Sequence, residues 1–242
     1  IDAVVWSTSL SKIHFKPKQE DGVIVIGKLN FWQSQAKLTI NVIDIRPSIS
    51  TVLRKFEIVR DLLIKDGLID HKRRRALPNF PIAIAILTSV PSSALADMLR
   101  TAKERWPLTK VFVIPIPVQG AVARKISITL SSLSKKYKKL GIQALILARG
   151  GGSREDLMLF DDEELCRQVA NFPIPIITGI GHEDDLTVSD LVSDHRSATP
   201  TAAIVDLLPS RETEKNNFVQ NKKIFKDYLK LYFSNNKKFL NL

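Results

Sequence analysis

The stretch 144–157, ALILARGGGSREDL, decides the fold. Its first five residues are an unbroken apolar run, the pattern of a strand covered on both faces. Three consecutive glycines follow Arg149, and from Glu155 to Asn171 the pattern becomes helical. A buried strand, a glycine turn and a helix make up one repeat of a parallel α/β sheet. The same grammar extends outward on both sides. Residues 82–87 form a short apolar run, 88–93 a polar turn and 94–105 a helix. Residues 111–116 read as a second strand and 119–137 as a helix with a basic outer face. Residues 174–180 read as a fourth strand, closed by Gly181-His182-Glu183. The expected fold class is therefore α/β, with a parallel sheet over 80–209.

The flanks follow other rules. Residues 3–6, 12–15, 22–29 and 36–45 read as short strands, with period-two alternation around Leu38, Ile40, Val42 and Ile45. Asp21-Gly22 and Lys16-Pro17 mark turns. Residues 1–46 are expected to form a small, incomplete β-sheet or barrel. Within the connecting segment 47–79, residues 51–65 carry Val52, Phe56, Val59, Leu62 and Leu63 on one helical face, and Gly67 lies just beyond. Past Pro209, residues 210–242 are charged and helical. Phe218, Phe225, Leu229 and Tyr232 recur near heptad spacing, as at the start of a long helix or coiled coil.

The formal net charge is +11, which favours a polyanionic partner, nucleic acid first and an anionic membrane second. The distribution is more informative. Residues 121–148 hold six Lys/Arg and no acid, and 209–242 hold eight against three acids. Residues 150–208 reverse this, with twelve Asp/Glu. A basic frame around an acidic centre suits a polyanion gripped at the edges and processed in the middle. The single cysteine, Cys166, excludes an internal disulfide and fits a reducing, cytoplasmic compartment. No apolar run is long enough for a membrane helix.

Ligands of open α/β sheets bind beyond the carboxyl ends of the strands, and three such ends carry polar clusters. In Arg149-Gly150-Gly151-Gly152-Ser153, glycines let the backbone approach an anion, and arginine offers a two-pronged donor. The spacing matches neither a Walker loop nor a dinucleotide fingerprint. Ser153 and Asp156 resemble a capping box. The motif alone does not separate a nucleotide, a sugar phosphate or a DNA backbone, and a flexible turn remains an alternative. The second cluster is His182-Glu183-Asp184-Asp185, with Thr187, Asp190 and Asp194 beyond. Histidine suits proton transfer near neutral pH, and its carboxylate neighbours suit orientation or a divalent cation. The third is Thr88-Ser89 with Asp97. A further run, Arg196 to Thr199-Pro200, also reads as a plain helix cap. Trp6, Phe15, Phe31 and Trp32 are open to either base stacking or core packing.

Several of these segments are long, ordered and collinear with those of one family. Residues 148–157, ARGGGSREDL, resemble the glycine-rich segment of the exonuclease VII large subunit. So do Phe172-Pro-Ile-Pro175 with Gly181-His182-Glu183-Asp184-Asp185-Leu-Thr187. The same holds for Asp190, Asp194, Arg196 and Thr199-Pro200-Thr201, for Val118-Gln119-Gly120, and for Leu77-Pro78 with Thr88-Ser89 and Asp97. Arg154 and Ser92 depart from the family pattern. The resemblance covers about residues 1–240. It implies a partial oligonucleotide-binding (OB-fold) barrel at 1–46, a helical linker at 47–79, an α/β nuclease domain at 80–209 and the start of a coiled coil at 210–242. It also implies exonucleolytic hydrolysis of single-stranded DNA to 5′-phosphate oligonucleotides, and small subunits bound through the coiled coil.

By motif match the catalytic set falls on Asp97, Arg149, His182 and Asp185. Gly150, Gly151, Gly152 and Ser153 are expected to bind phosphate. Thr88, Ser89, Glu183, Asp190, Arg196 and Thr199 are expected to support them. Mg²⁺ is expected to help, its necessity being left open, with Asp97 and Asp185 as its candidate ligands. The competing expectation is a non-catalytic, single-strand-binding remnant of such a subunit.

Overall fold

A computed structural model of the chain describes residues 1–240 except 11, 12, 14, 16, 20, 34, 35, 118–121, 183 and 184, and except the side chains of 235 and 237–240. The alternating N-terminal sequence forms strands β1 (Asp2–Val5), β2 (Val23–Trp32) and β3 (Lys37–Pro47), with the short helix α1 (Ser7–Leu10) after β1. Their order is β1-β3-β2, with β2 antiparallel and β1 parallel to β3. The expected strand at 12–15 lies partly outside the described residues, and its Ile13 and Phe15 are not in a strand. Among the described residues this unit is an open three-stranded mixed sheet rather than a closed barrel. Trp6, Phe31 and Trp32 are exposed, and Phe15 is partly buried. These aromatic residues therefore do not form a core.

Helix α2 (Ile49–Lys65) begins where Ser48 accepts the Thr51 N–H, and it buries Val52, Val59 and Leu63. The apolar runs that follow become a parallel sheet: β4 (Ala83–Thr88), β5 (Lys110–Pro115), β6 (Ala144–Arg149), β7 (Ile176–Ile180) and β8 (His195–Arg196), in the order β5-β4-β6-β7-β8. Connecting them are α3 (Ser93–Arg105), α4 (Ala123–Ser134), α5 (Tyr137–Leu140), α6 (Arg154–Leu157), α7 (Glu163–Ala170) and α8 (Val188–Val192). Helices α9 (Pro200–Leu207) and α10 (Arg211–Leu240) follow.

The continuous apolar strands divide by the strand's period of two. Ala85, Leu87, Leu145, Leu147 and Ile176 join a core with residues of α2, α4, α7 and α8. Ile84, Ile86, Ala144, Ile146 and Ile177 join a second core with Leu95 and Met98 of α3 and Ile204 and Leu207 of α9. Helices on both faces explain why these strands lack the alternation of a one-sided sheet.

Three sequence expectations are corrected. The helix expected from Glu155 to Asn171 is broken into α6, a 3₁₀ turn at Met158–Asp161 and α7, because Asp161 turns inward and Asp162 caps the next helix through the Leu165 N–H. Ser153 makes no side-chain cap, so Ser153/Asp156 is not a capping box. The capping box lies instead at Thr187 and Asp190. Finally, the run from Arg196 to Thr199-Pro200 is a helix cap only at its end: Thr199 caps α9, while Arg196 sits in the edge strand β8. The expected basic helix at 119–137 is α4 within the described residues, and Val118-Gln119-Gly120 falls outside them.

One fastening ties the connecting segment to the sheet. Asp194, 8% exposed, accepts bonds from the Arg75 backbone N–H at 2.7 Å, from its Nε at 2.8 Å and Nη2 at 2.7 Å, and from the Ile176 N–H at 2.7 Å. Asp194 is therefore a structural anchor at the N-terminal end of β7, remote from the strand C-ends. Asp194→Ala strands the buried Ile176 N–H and unpairs the part-buried Arg75, and should cost roughly 2–3 kcal/mol. Chemical denaturation at neutral pH measures this, and an unchanged midpoint would remove the anchor from the account.

Candidate active site at the glycine loop

The chain runs from β4 outward to β5, then crosses back to the other side of β4 for β6. The sheet order therefore reverses between β4 and β6, and the crevice above such a reversal is where open α/β sheets bind ligands. Thr88 ends β4 and Arg149 ends β6 at this point. The glycine loop rises directly above, and a side chain on Gly150 would meet the Cβ of Ala94 in the first turn of α3 at 3.6 Å.

The loop joins the two proposed key side chains. A Cβ on Gly151 would stand 2.8 Å from the His182 Cε1, and one on Gly152 would stand 2.6 Å from the Arg149 Nη2. The imidazole thus lies against one glycine and the guanidinium against the next. A side chain at either glycine would have to displace the group beside it. Arg149 is only 3% exposed. Its Nη2 pairs with Asp156 Oδ2 at 3.2 Å, while its Nη1 is buried without a hydrogen-bond partner. A buried, half-satisfied guanidinium under a bare loop is costly unless an anion completes it. The Thr88 hydroxyl, at the neighbouring strand end, is also buried without a hydrogen-bond partner.

His182 is presented differently. Gly181 adopts φ +67°, a conformation unfavourable for other residues, and a Cβ there would lie 2.8 Å from the Asp185 Cβ. This turn lets Asp185 fold back: its Oδ2 accepts the His182 N–H at 3.2 Å and lies 3.8 Å from Nδ1. The second distance is too long for a hydrogen bond but close enough to orient the ring electrostatically. The imidazole side chain is 71% exposed and so reachable by a substrate. Arg196 Nη2 donates to the His182 carbonyl at 3.4 Å, which steadies the loop from β8.

Other candidates fall elsewhere. Asp97 lies one turn beyond Ala94 on α3, and its carboxylate is paired with Arg100 at 2.7 Å rather than with the loop. Ser89 contributes its carbonyl to the Ser92 hydroxyl. Ser153 is exposed beside the loop. Thr199 caps α9 through the Ala202 N–H, so its hydroxyl is used structurally. Asp190 caps α8, and burial pushes its pKa upward. Glu183 lies outside the described residues. Helix α6 is a single turn, so it adds little dipole and the loop's own amides and Arg149 must supply the positive field. Among the described residues no group of three or more His, Cys, Asp and Glu is arranged to hold a metal ion. Asp97 and Asp185 do not by themselves make a Mg²⁺ cage. A shallow hollow lined by Leu68, Arg73, Arg74, Val192 and Asp194 lies at the opposite end of β7. No described helix is long and apolar enough to cross a membrane.

Sequence reasoning missed the Thr187–Asp190 cap, although the Thr-x-x-Asp spacing signals it. The pairing of Arg149 with Asp156 had no such signal.

The arrangement has relatives. A family model described as exonuclease VII, large subunit, matches residues 68–242, which include the glycine loop, His182 and the long α10. The chain is 61% identical over 229 residues to the exodeoxyribonuclease 7 large subunit of Synechococcus sp. (strain CC9605), covering 95% of this chain and 59% of that one. It is 62% identical over 211 residues to the namesake of Parasynechococcus marenigrum (strain WH8102), covering 87% and 54%. It is 37% identical over 214 residues to that of Campylobacter fetus subsp. fetus (strain 82-40), covering 88% and 54%. The chain thus spans little more than half the length of these curated relatives. With the loop, the histidine turn and the doubly wound sheet all inside the matched segment, the chain belongs to the exonuclease VII large-subunit family.

Proposed function

We propose that the chain hydrolyses single-stranded DNA exonucleolytically to 5′-phosphate oligonucleotides, as the large subunit of an exonuclease VII in the cytoplasm. The observation that carries this is the packing of Arg149 and His182 against adjacent glycines of one exposed loop. A phosphate entering above the loop meets its amides, the imidazole and, once the loop lifts, the unpartnered Arg149 Nη1. Water attacks phosphorus, the bond to the 3′ oxygen breaks, and the phosphate stays on the 5′ side. His182 takes the water's proton or returns one to the leaving oxygen. Arg149 and the loop amides stabilise the charge that develops on the phosphate. Asp185 orients the imidazole, and Asp97 would orient the water from α3 once its carboxylate leaves Arg100. If Mg²⁺ assists, Asp97 and Asp185 are the side chains that would meet it, and activity in excess chelator measures its share.

The rest of the chain fits a single strand. Exposed Trp6, Phe31 and Trp32 on the mixed sheet offer stacking faces, consistent with part of an oligonucleotide-binding barrel. Helix α10 exposes Phe218, Phe225, Tyr228, Leu231 and Tyr232, an apolar surface suited to coiled-coil contact with small subunits.

The test is incubation of the chain, with and without a small subunit of this family, with end-labelled single- and double-stranded DNA. Acid-soluble oligonucleotides from the single strand alone are expected. Salt-dependent binding with no product under either condition would favour the non-catalytic alternative.

A further inference from the structure

We propose that Asp161, with Arg154, is a positioning clamp that holds the glycine loop and the His182 turn in register; this rests on the reading that those two loops share one phosphate. The Asp161 side chain is fully buried. Its Oδ2 accepts Arg154 Nη2 at 2.8 Å, and its Oδ1 accepts the Val188 N–H at 2.8 Å. Arg154 immediately follows the glycine loop and Ser153. Val188 opens α8 immediately after the segment that carries His182 and Asp185. One carboxylate therefore touches the far end of both loops.

The clamp is itself held from a third side. The Arg154 guanidinium lies 5.5 Å from the centre of the Phe56 ring, and Lys55 Nζ donates to the Met158 carbonyl at 3.5 Å. Both come from α2, so the arginine is sandwiched between the connecting helix and the buried acid. This geometry explains why the chain tolerates a charge inside the break between α6 and α7. An ion buried without its partner is strongly unfavourable, so each partner fixes the other's place. The bond to Val188 adds a neutral anchor that an amide at 161 would keep. The bond to Arg154 is lost, because the amide nitrogen in place of Oδ2 sets a donor against a donor. Asp161→Asn therefore separates the two halves of the clamp without changing side-chain volume.

Two readouts on the full chain test this. By hydrogen exchange, Asp161→Asn should speed exchange in the peptides covering 149–154 and 185–189 together. In single-strand hydrolysis it should lower kcat by about 10- to 100-fold while KM moves less than about twofold, because small misplacements of reacting groups cost rate rather than binding. Asp161→Asn with Arg154→Met removes both charges and keeps an aliphatic stem against Phe56. It should restore the melting midpoint while kcat stays low. Recovery of kcat along with the midpoint would show a purely structural ion pair and overturn the proposal. So would exchange that changes on one side only, or full activity in Asp161→Asn beside an active unsubstituted chain. An unsubstituted chain that releases no product, with the exchange result intact, would instead overturn the proposed function.

Discussion

His182→Ala should leave single-strand binding nearly intact and lower kcat by about 10² to 10⁴, the typical contribution of one general acid or base. The fold has little stake in this side chain. Its imidazole is 71% exposed, and the turn is held by backbone groups: the His182 N–H to Asp185, the Asp185 N–H to the His182 carbonyl, and Arg196 to that same carbonyl. Binding depends mainly on distributed positive charge, of which the chain has a net +11. The check is single-turnover hydrolysis of a labelled single strand beside fluorescence anisotropy with the same oligonucleotide. Full activity in this variant would remove histidine from the mechanism.

Gly152→Ala should cost about 10² in kcat, whereas Gly150→Ala should be nearly silent. The two differ only in what a methyl group meets. At 150 it makes an ordinary contact with Ala94 at 3.6 Å. At 152 it falls 2.6 Å from Nη2 and 2.8 Å from Nη1 of Arg149. The guanidinium is the end of a flexible side chain, but it is 3% exposed and pinned to Asp156, so it cannot swing into water at low cost. Displacements of about 1 Å from productive geometry cost on the order of 10²-fold in rate. Parallel kcat and melting measurements on both variants decide the matter. Equal activity would mean that the position of Arg149 under the loop is irrelevant to turnover.

The doubly wound sheet was legible because its signals are local. Short apolar runs at 82–87, 111–116, 144–148 and 174–180, each followed by a polar turn and alternating with helical patterns, read as the strands of a parallel sheet. The two-residue β8 was not legible, since His195 and Arg196 carry no strand pattern and join the edge only through pairing with Ile177 and Thr178. The break at Asp161 was equally invisible. The apolar spacing across 155–171 suits a helix, and only the distant Val188 N–H and the Arg154 guanidinium make an inward carboxylate tolerable. At the site, Arg149, His182 and Asp185 could be chosen from strand-end placement and from the family resemblance. Their nearness could not, because it depends on how closely two loops 30 residues apart approach across β6 and β7. Asp97 shows the same limit. Its helix is where the sequence puts it, but its carboxylate is engaged with Arg100. Of the expected incomplete sheet or partial barrel, the described residues form an open three-stranded sheet in which β1 pairs in parallel with β3 and β2 lies at an edge.

The most direct measurement is an experimental structure of the chain with a hydrolysis-resistant phosphorothioate single strand. The account predicts one linkage over a lifted glycine loop, with its oxygens within about 3 Å of both the Arg149 guanidinium and the His182 imidazole. A strand bound along another edge, with Arg149 still sealed beneath Gly152 and His182 facing bare solvent, would contradict it.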